Sequence, residues 1–294
     1  MLQYFSNPRL RLFVGAVLIS FSPVFVKLVD VSPTTSGFYR ALFGGLALAA
    51  FILLTGRRFS FGRTAWLALA ASAVCFALDL WFWHRSILYI GPGLSTLLAN
   101  MQVFFMMAAG IVFLRQRPTA LQLVAVPLAV VGLTMIVGPD WDALTPAYRL
   151  GILLGLLTAI SYAGYMLCMR QARMHSAWPV PVREIAVMSL LVAGMLGASA
   201  ALEGESLAIG SAGDVGWLLA YGILSHAVGM MFIASSLARV STTETGIALL
   251  LQPSLSFLWD ILFFARPVTP VEIAGAVIAL AAIFMGSTRR LKQP

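Results

Sequence analysis

Ten runs of roughly twenty mostly apolar residues, each closed by a short polar or Gly/Pro-bearing break, constrain this chain more than any motif in it. They lie at 10–29, 36–54, 64–85, 94–114, 119–137, 149–171, 183–203, 214–237, 242–264 and 270–287. A helix needs about 20 apolar residues to cross a hydrocarbon core. Without water there, only helices and closed barrels satisfy their backbone polar groups. The breaks read SPTTS, TGRRFSFGR, GPG, RQRP, GPDWDALTP, ARMHSAWP, EGES, ARVST and ARPVTP. Only 10% of the 294 residues are charged, against about 25% in soluble domains. The expected fold is therefore all-α and integral to a membrane, with ten spans.

The net charge of +8 does not point to nucleic acid, because the basic residues sit in short clusters between apolar runs. Cytoplasmic flanks of membrane helices collect Lys and Arg. One side receives Arg9, Arg11, Arg57, Arg58, Arg63, Arg115, Arg117, Arg170, Arg173, Arg183, Arg239, Arg289, Arg290 and Lys292. The opposite loops receive Arg149 and Arg266, together with Asp30, Asp140, Asp142, Glu203, Glu205 and Asp214. Both termini are expected on the cytoplasmic side. Leu12 to Val29 is followed at once by another span and by no small-residue cleavage site, so it is expected to be the first helix, not a signal peptide. Cys75 and Cys168 lie inside apolar runs, as free thiols would. Three scattered histidines and two cysteines show no metal-ligand spacing.

A constant shift of 150 positions lays the last three helices of the second half on those of the first. Ser86 then meets Ser236, Ser95 meets Thr245, Gln102 meets Gln252, and Thr119 meets Thr269. The expected division is a first five-helix repeat at 1–138 and a second at 139–294. An odd number of crossings per repeat turns the second copy upside down. Inverted repeats are a transporter signature, with the substrate site near the midplane between the halves.

Lys27 closing the first run, then Ser32-Pro33 and Arg40 early in the second, resemble the half-pattern of ten-helix EamA-type exporters of the drug/metabolite transporter superfamily. Tyr89-Ile90-Gly91-Pro92-Gly93 and Arg239-Val240-Ser241-Thr242-Thr243 resemble that family's loops before the fourth and ninth helices. The resemblance spans nearly the whole chain. It implies a substrate carrier, and the aromatic richness most resembles amino-acid exporters of the YddG type. Two features depart from the pattern. Gln116 and Arg266 stand where the family usually has Glu, and Val103 stands opposite Pro253, so no mechanism built on those glutamates carries over.

Ionisable side chains inside a bilayer face the bundle interior or a water-filled cavity. In the stretch FALDLWFWHRSILY, Ser72, Cys75, Asp79, Trp83 and Ser86 share one helical stripe, which turns Asp79 and Trp83 toward an interior cavity. Trp81, His84 and Arg85 fall off that stripe at the outer end and are expected at the interface, with His84 open to either role. In the eighth run His226 sits near mid-membrane beside a stripe of Gly222, Ser225, Gly229, Phe232 and Ser236. Gln102 and Gln252, with Ser256 and Trp259, are expected in the cavity wall, and Tyr162 with Tyr165 completes an aromatic surface. Lys27, Arg40, His84 and Asn100 either face the cavity or reach the interface. Pro23, Pro127 and Pro253 each remove a backbone hydrogen bond and are candidate hinges.

No nucleophile elbow, phosphate-cradling loop, metal motif or redox pair is present, so neither an enzyme nor a cofactor is expected. The expected partners are a small-molecule substrate and a lipid bilayer. GxxxG-like spacing at Gly151 and Gly155 suits packing within or between chains, leaving monomer and homodimer both open. The favoured function is secondary export of small amino acids or related metabolites, including aromatic or apolar ones, from a bacterial inner membrane. A lipophilic-cation exporter using Asp79 and Trp83 and a carrier of organic anions such as nucleotide sugars are the alternatives. A membrane receptor or intramembrane enzyme ranks lower.

Overall fold

The structure, a computed structural model, describes residues 7–56, 59–138, 141–174, 180–236, 239–240 and 242–287. Arg57, Arg58, Asp140, Ser241, Arg289, Arg290 and Lys292, which enter the charge count or the loop motifs, lie outside them. The described residues form ten helices long and apolar enough to cross a membrane, and no strands. They are α1 Pro8–Leu28, α2 Pro33–Leu54, α3 Arg63–Ile90, α4 Pro92–Phe113, α5 Ala120–Val137, α6 Pro146–Arg173, α7 Val182–Glu203, α8 Ala212–Ser236, α9 Glu244–Phe264 and α10 Pro270–Ser287.

Helix starts carry the expected chemistry. Asn7, Ser32, Thr119, Thr145 and Ser211 accept backbone N–H bonds as N-caps, and prolines 8, 33 and 146 occupy first-turn positions. The largest boundary difference from the sequence is in α3, which runs to Ile90 instead of stopping at Arg85. Arg85 does not end the helix because its charge is neutralised by Glu203, and Ser86 continues the packing by donating to the Gly151 carbonyl at 2.8 Å.

The helices pack as pairs related by an exchange of positions n and n+5. Helix α2 packs on α7, and α5 on α10. The α3–α6 contact has its counterpart in α8–α1, and α2–α8 has its counterpart in α7–α3. This two-repeat arrangement of ten helices buries one cluster around α2, α3, α6 and α7 and a second around α4, α5, α9 and α10.

Three helices depart from regularity. Helix α1 is interrupted at Phe21, two residues before Pro23. Helix α4 is interrupted at Asn100–Met101, where no proline stands, whereas α5 and α9 run unbroken through Pro127 and Pro253. Of the three candidate proline hinges, only Pro23 lies at an interruption. At α4 the Asn100 backbone N–H and side chain both donate to the Thr96 carbonyl, at 3.1 Å and 2.8 Å, and the following bonds tighten to i−3, as in Met101 N–H to the Leu98 carbonyl at 2.9 Å. Helix α8 is π-helical over Tyr221–Gly229.

Candidate functional site

The helix interruptions converge on a small cavity of about 60 Å³ between the two halves. Its wall comprises Ser22 of α1, Arg40 of α2, Phe76, Asp79 and Trp83 of α3, and Thr96, Ala99, Asn100 and Gln102 of α4. Thr158 and Tyr162 of α6 and Gln252 of α9 complete it. The ends of the α3 stripe serve packing, since Ser72 and Ser86 donate to carbonyls of α6. Of its middle members Asp79 and Trp83 reach the cavity and Cys75 does not; Phe76, one position off the stripe, joins them there.

The central feature is a buried guanidinium. Arg40 is 8% exposed and lies 5.8 Å, 5.5 Å and 5.0 Å from the ring centres of Phe76, Trp83 and Tyr221. Its Nη1 donates to the Tyr221 hydroxyl at 2.9 Å and its Nε to His226 Nδ1 at 3.4 Å. His226 Nε2 then donates to Ser189 Oγ at 2.7 Å. On the other side the Tyr221 hydroxyl, already accepting from Arg40, donates to His84 Nε2 at 3.2 Å, and His84 Nδ1 donates to the Leu80 carbonyl at 2.7 Å. Each ring nitrogen thus has one role, and both imidazoles serve as neutral members of the chain.

The π-turn makes this chain geometrically feasible. In an α-helix, residues five apart point about 140° away from each other. A π-turn closes i→i+5 bonds and brings residues five apart round toward the same side, so Tyr221 and His226 both reach Arg40. Helix α8 also comes close to α2 because glycines stand at the crossing. A Cβ on Gly222 would lie 2.6 Å from Phe43 Cβ, and one on Gly44 would lie 2.8 Å from the Gly222 carbonyl oxygen.

The cavity wall holds polar atoms with no partner among the described residues. Thr96 Oγ1 and Gln102 Oε1 are buried without a hydrogen bond. Asp79, 4% exposed, forms neither a hydrogen bond nor an ion pair with a described residue; the charge acting on it is Arg40. Buried polar groups are nearly always partnered, and these bare acceptors give the cavity wall its polar character.

The sequence-expected residues divide. Asp79, Trp83, Gln102, Tyr162, Gln252, Arg40 and Asn100 line the cavity. Tyr165 and His226 stand behind the wall, the first packed on Phe76 with ring centres 4.7 Å apart. Ser256 and Trp259 lie off it as well. They donate to the Ser20 carbonyl and hydroxyl at 3.0 Å each, pinning α9 to the interruption in α1. His84 is fully buried, with the π-turn delivering the Tyr221 hydroxyl to its Nε2. Lys27 is exposed, 5.8 Å from the Phe264 ring centre. Sequence reasoning missed Tyr221, Phe76, Ser22, Thr96 and Ser189. A polar tyrosine five residues before a mid-membrane histidine was the available signal for Tyr221.

One end of the cavity is closed by contacts between the halves. Arg85 of α3 pairs with Glu203 of α7, Thr34 donates to the same carboxylate, and Tyr39 donates to the Leu207 carbonyl at 2.7 Å. Asp260 of α9 accepts from the Gly93 N–H of α4 at 3.0 Å and lies 3.6 Å from Arg266. Toward the other end α4 and α9 diverge. Only the Pro92–Ala99 half of α4 packs closely on α9, while the half from Gln102 packs on α6 and α10.

The model of the EamA-like transporter family matches residues 10–138 and again 149–288. The chain belongs to that family. It is therefore a multi-pass membrane protein of the drug/metabolite transporter superfamily, a group of transporters and not of enzymes. No curated protein sequence matches it. Twenty-seven solved chains do. One crystal structure is 16% identical, with a TM-score of 0.65, over 96% of this chain and 95% of its own. At that identity the likeness shows the shared fold alone.

Proposed function

We propose that this EamA-family transporter exports small amino acids or related zwitterionic metabolites, with aromatic or apolar side chains preferred, by alternating access. Residues 1–138 and 139–294 serve as the two inverted repeats that rock about the cavity. The observation that carries this is the composition of the wall: one carboxylate, one guanidinium, three amides and the rings of Phe76, Trp83 and Tyr162. Apolar walls with a few placed polar groups are what small-molecule sites require. A carrier of nucleotide sugars would need several deep cations, and among the described lining residues Arg40 is the single one. A lipophilic-cation exporter would gain from Asp79 but be opposed by Arg40 over the same rings.

The closed end carries Glu203, Glu205, Asp214 and few basic residues, in keeping with an extracytoplasmic face under the charge rule. Both termini then lie in the cytoplasm of a bacterial cell, and the cavity stands ready to load from within. At about 60 Å³ it is far below the roughly 300 Å³ of ligand pockets, so loading requires α4 and α9 to part further.

Counterflow in liposomes containing the purified protein tests the function. The vesicles are preloaded with one unlabelled amino acid at a time, and entry of labelled amino acid is followed. Accelerated exchange with aromatic and branched amino acids supports the proposal. Exchange with lipophilic cations alone replaces it with the drug-exporter alternative.

A further inference from the structure

We infer that Arg40 and Asp79 form the two poles of a zwitterion site, Arg40 taking the substrate carboxylate and Asp79 its ammonium. This rests on the amino-acid assignment above and goes further, since it fixes which residue holds which group and which way round the substrate lies.

A buried carboxyl and a buried guanidinium do not meet here. Phe76, Asp79 and Trp83 occupy positions i, i+3 and i+7 of α3, one helical face. Arg40 lies over both rings that flank Asp79, at 5.8 Å and 5.5 Å, yet no ion pair within 4 Å joins the two residues. Buried polar side chains are ordinarily partnered, and a carboxyl and a guanidinium facing the same two rings would be expected to pair. Here the guanidinium is held back by the chain that runs from Leu80 through His84 and Tyr221, and from His226 to Ser189. That chain uses Nε and one proton of Nη1. Three of the five guanidinium protons, including both on Nη2, are left for a ligand.

The pole at Asp79 has matching chemistry. An ammonium carries three donors and no acceptor, and the wall offers the Asp79 carboxylate together with bare acceptors at Thr96 Oγ1 and Gln102 Oε1. The guanidinium offers donors only, which suits a carboxylate. A substrate lying between the poles turns its side chain toward Phe76, Trp83 and Tyr162. His84, Tyr221 and His226 are positioning residues. They touch Arg40 or its neighbour and do not line the cavity.

The test compares three ligands of one shape in wild-type liposomes. L-phenylalanine carries both charges, its methyl ester only the ammonium, and 3-phenylpropionate only the carboxylate. Each is scored by competition against labelled phenylalanine. The inference expects the ester and the propionate each to compete about tenfold or more weakly, the scale of a charge-assisted hydrogen bond. In Arg40→Gln the penalty on the ester disappears while that on the propionate stays. In Asp79→Asn the pattern reverses. Should Arg40→Gln not fold, the wild-type comparison and Arg40→Lys, which keeps the charge but not the fork, still decide. Phenylalanine exchange with equal competition by the ester overturns the two-pole site and leaves amino-acid transport standing. Absence of exchange with every amino acid overturns both.

Discussion

Arg85 on α3 and Glu203 at the end of α7 meet at 2.5 Å, and the same guanidinium nitrogen donates to Thr34 and reaches Glu205 at 3.4 Å. With 16% and 28% of the two side chains exposed, the pair alone is worth little in stability. Exposed pairs typically contribute about 0.2–1 kcal/mol. Its consequence lies in where it sits, bridging the two halves at the closed end. In a background lacking Cys75 and Cys168, the thiol of Ser36→Cys, at a position 1% exposed, is expected to label slowly. Arg85→Gln or Glu203→Gln should speed that labelling severalfold and change unfolding stability by about 1 kcal/mol at most. Unchanged labelling would show that the pair does not hold the closed end.

A deeper bond at the same end should behave differently. Asp260 is 2% exposed and joins the Gly93 amide of α4 to Arg266, two residues beyond the end of α9. Removing the carboxylate leaves the buried Gly93 N–H without its acceptor, while Arg266 keeps Glu272 at 3.5 Å; an unsatisfied buried group costs about 1–3 kcal/mol. Asp260→Ala is therefore expected to lower stability by about 1–3 kcal/mol in reversible unfolding, more than Arg85→Gln. Gly91 and Gly93 show why the contact is close. A Cβ on either would lie 2.8 Å and 3.1 Å from Asp260 Oδ2.

The ten spans and the family were legible because both rest on long runs and on local signals: twenty apolar residues, capping residues, short charged breaks. Cavity residues on regular helices were legible by phase, as Asp79 and Trp83 show. Phase failed where the helices stop being regular. The π-turn in α8 brings Tyr221 onto the face of His226, and no α-period places it there. The break at Asn100 falls where no proline stands, as a tightening of the backbone bonds from i−4 to i−3. His84 was assigned by depth in the run, but its burial is decided by a tyrosine 137 positions away. Ser256 and Trp259 share the face of Gln252, yet the interruption in α1 supplies them with Ser20 as a partner and draws them off the cavity.

The α2–α8 crossing predicts opposite signs for the same substitution at two glycines. At Gly222 an added methyl meets Phe43 Cβ at 2.6 Å, and both atoms are fixed to backbone, so neither can move aside. Gly222→Ala should cost about 1–3 kcal/mol. At Gly194, inside α7, nothing lies within 4 Å of the new atom. Gly194→Ala should raise stability by about 0.5–1 kcal/mol through helix entropy alone. Unfolding in one detergent compares the two, and equal effects would contradict the close approach of α2 and α8.

Tyr221 tests the rack behind the cavity. Its hydroxyl accepts from Arg40 and donates to His84, so Tyr221→Phe leaves one buried donor and one buried acceptor unpaired while keeping the ring and its packing. An unsatisfied buried group costs about 1–3 kcal/mol. The freed guanidinium has a ready way to recover part of that, by swinging toward the Asp79 carboxylate on the face it already covers. That pairing would close the cavity to a charged substrate. Counterflow by Tyr221→Phe should therefore show an apparent affinity weakened about tenfold, with a smaller change in stability than the lost bonds suggest. His84→Gln should move affinity the same way. The double variant should be no worse than the poorer single one, because both act on one hydrogen-bond chain and additivity fails within a network. Additive losses would mean that the two residues reach the substrate separately and that the chain does not position Arg40.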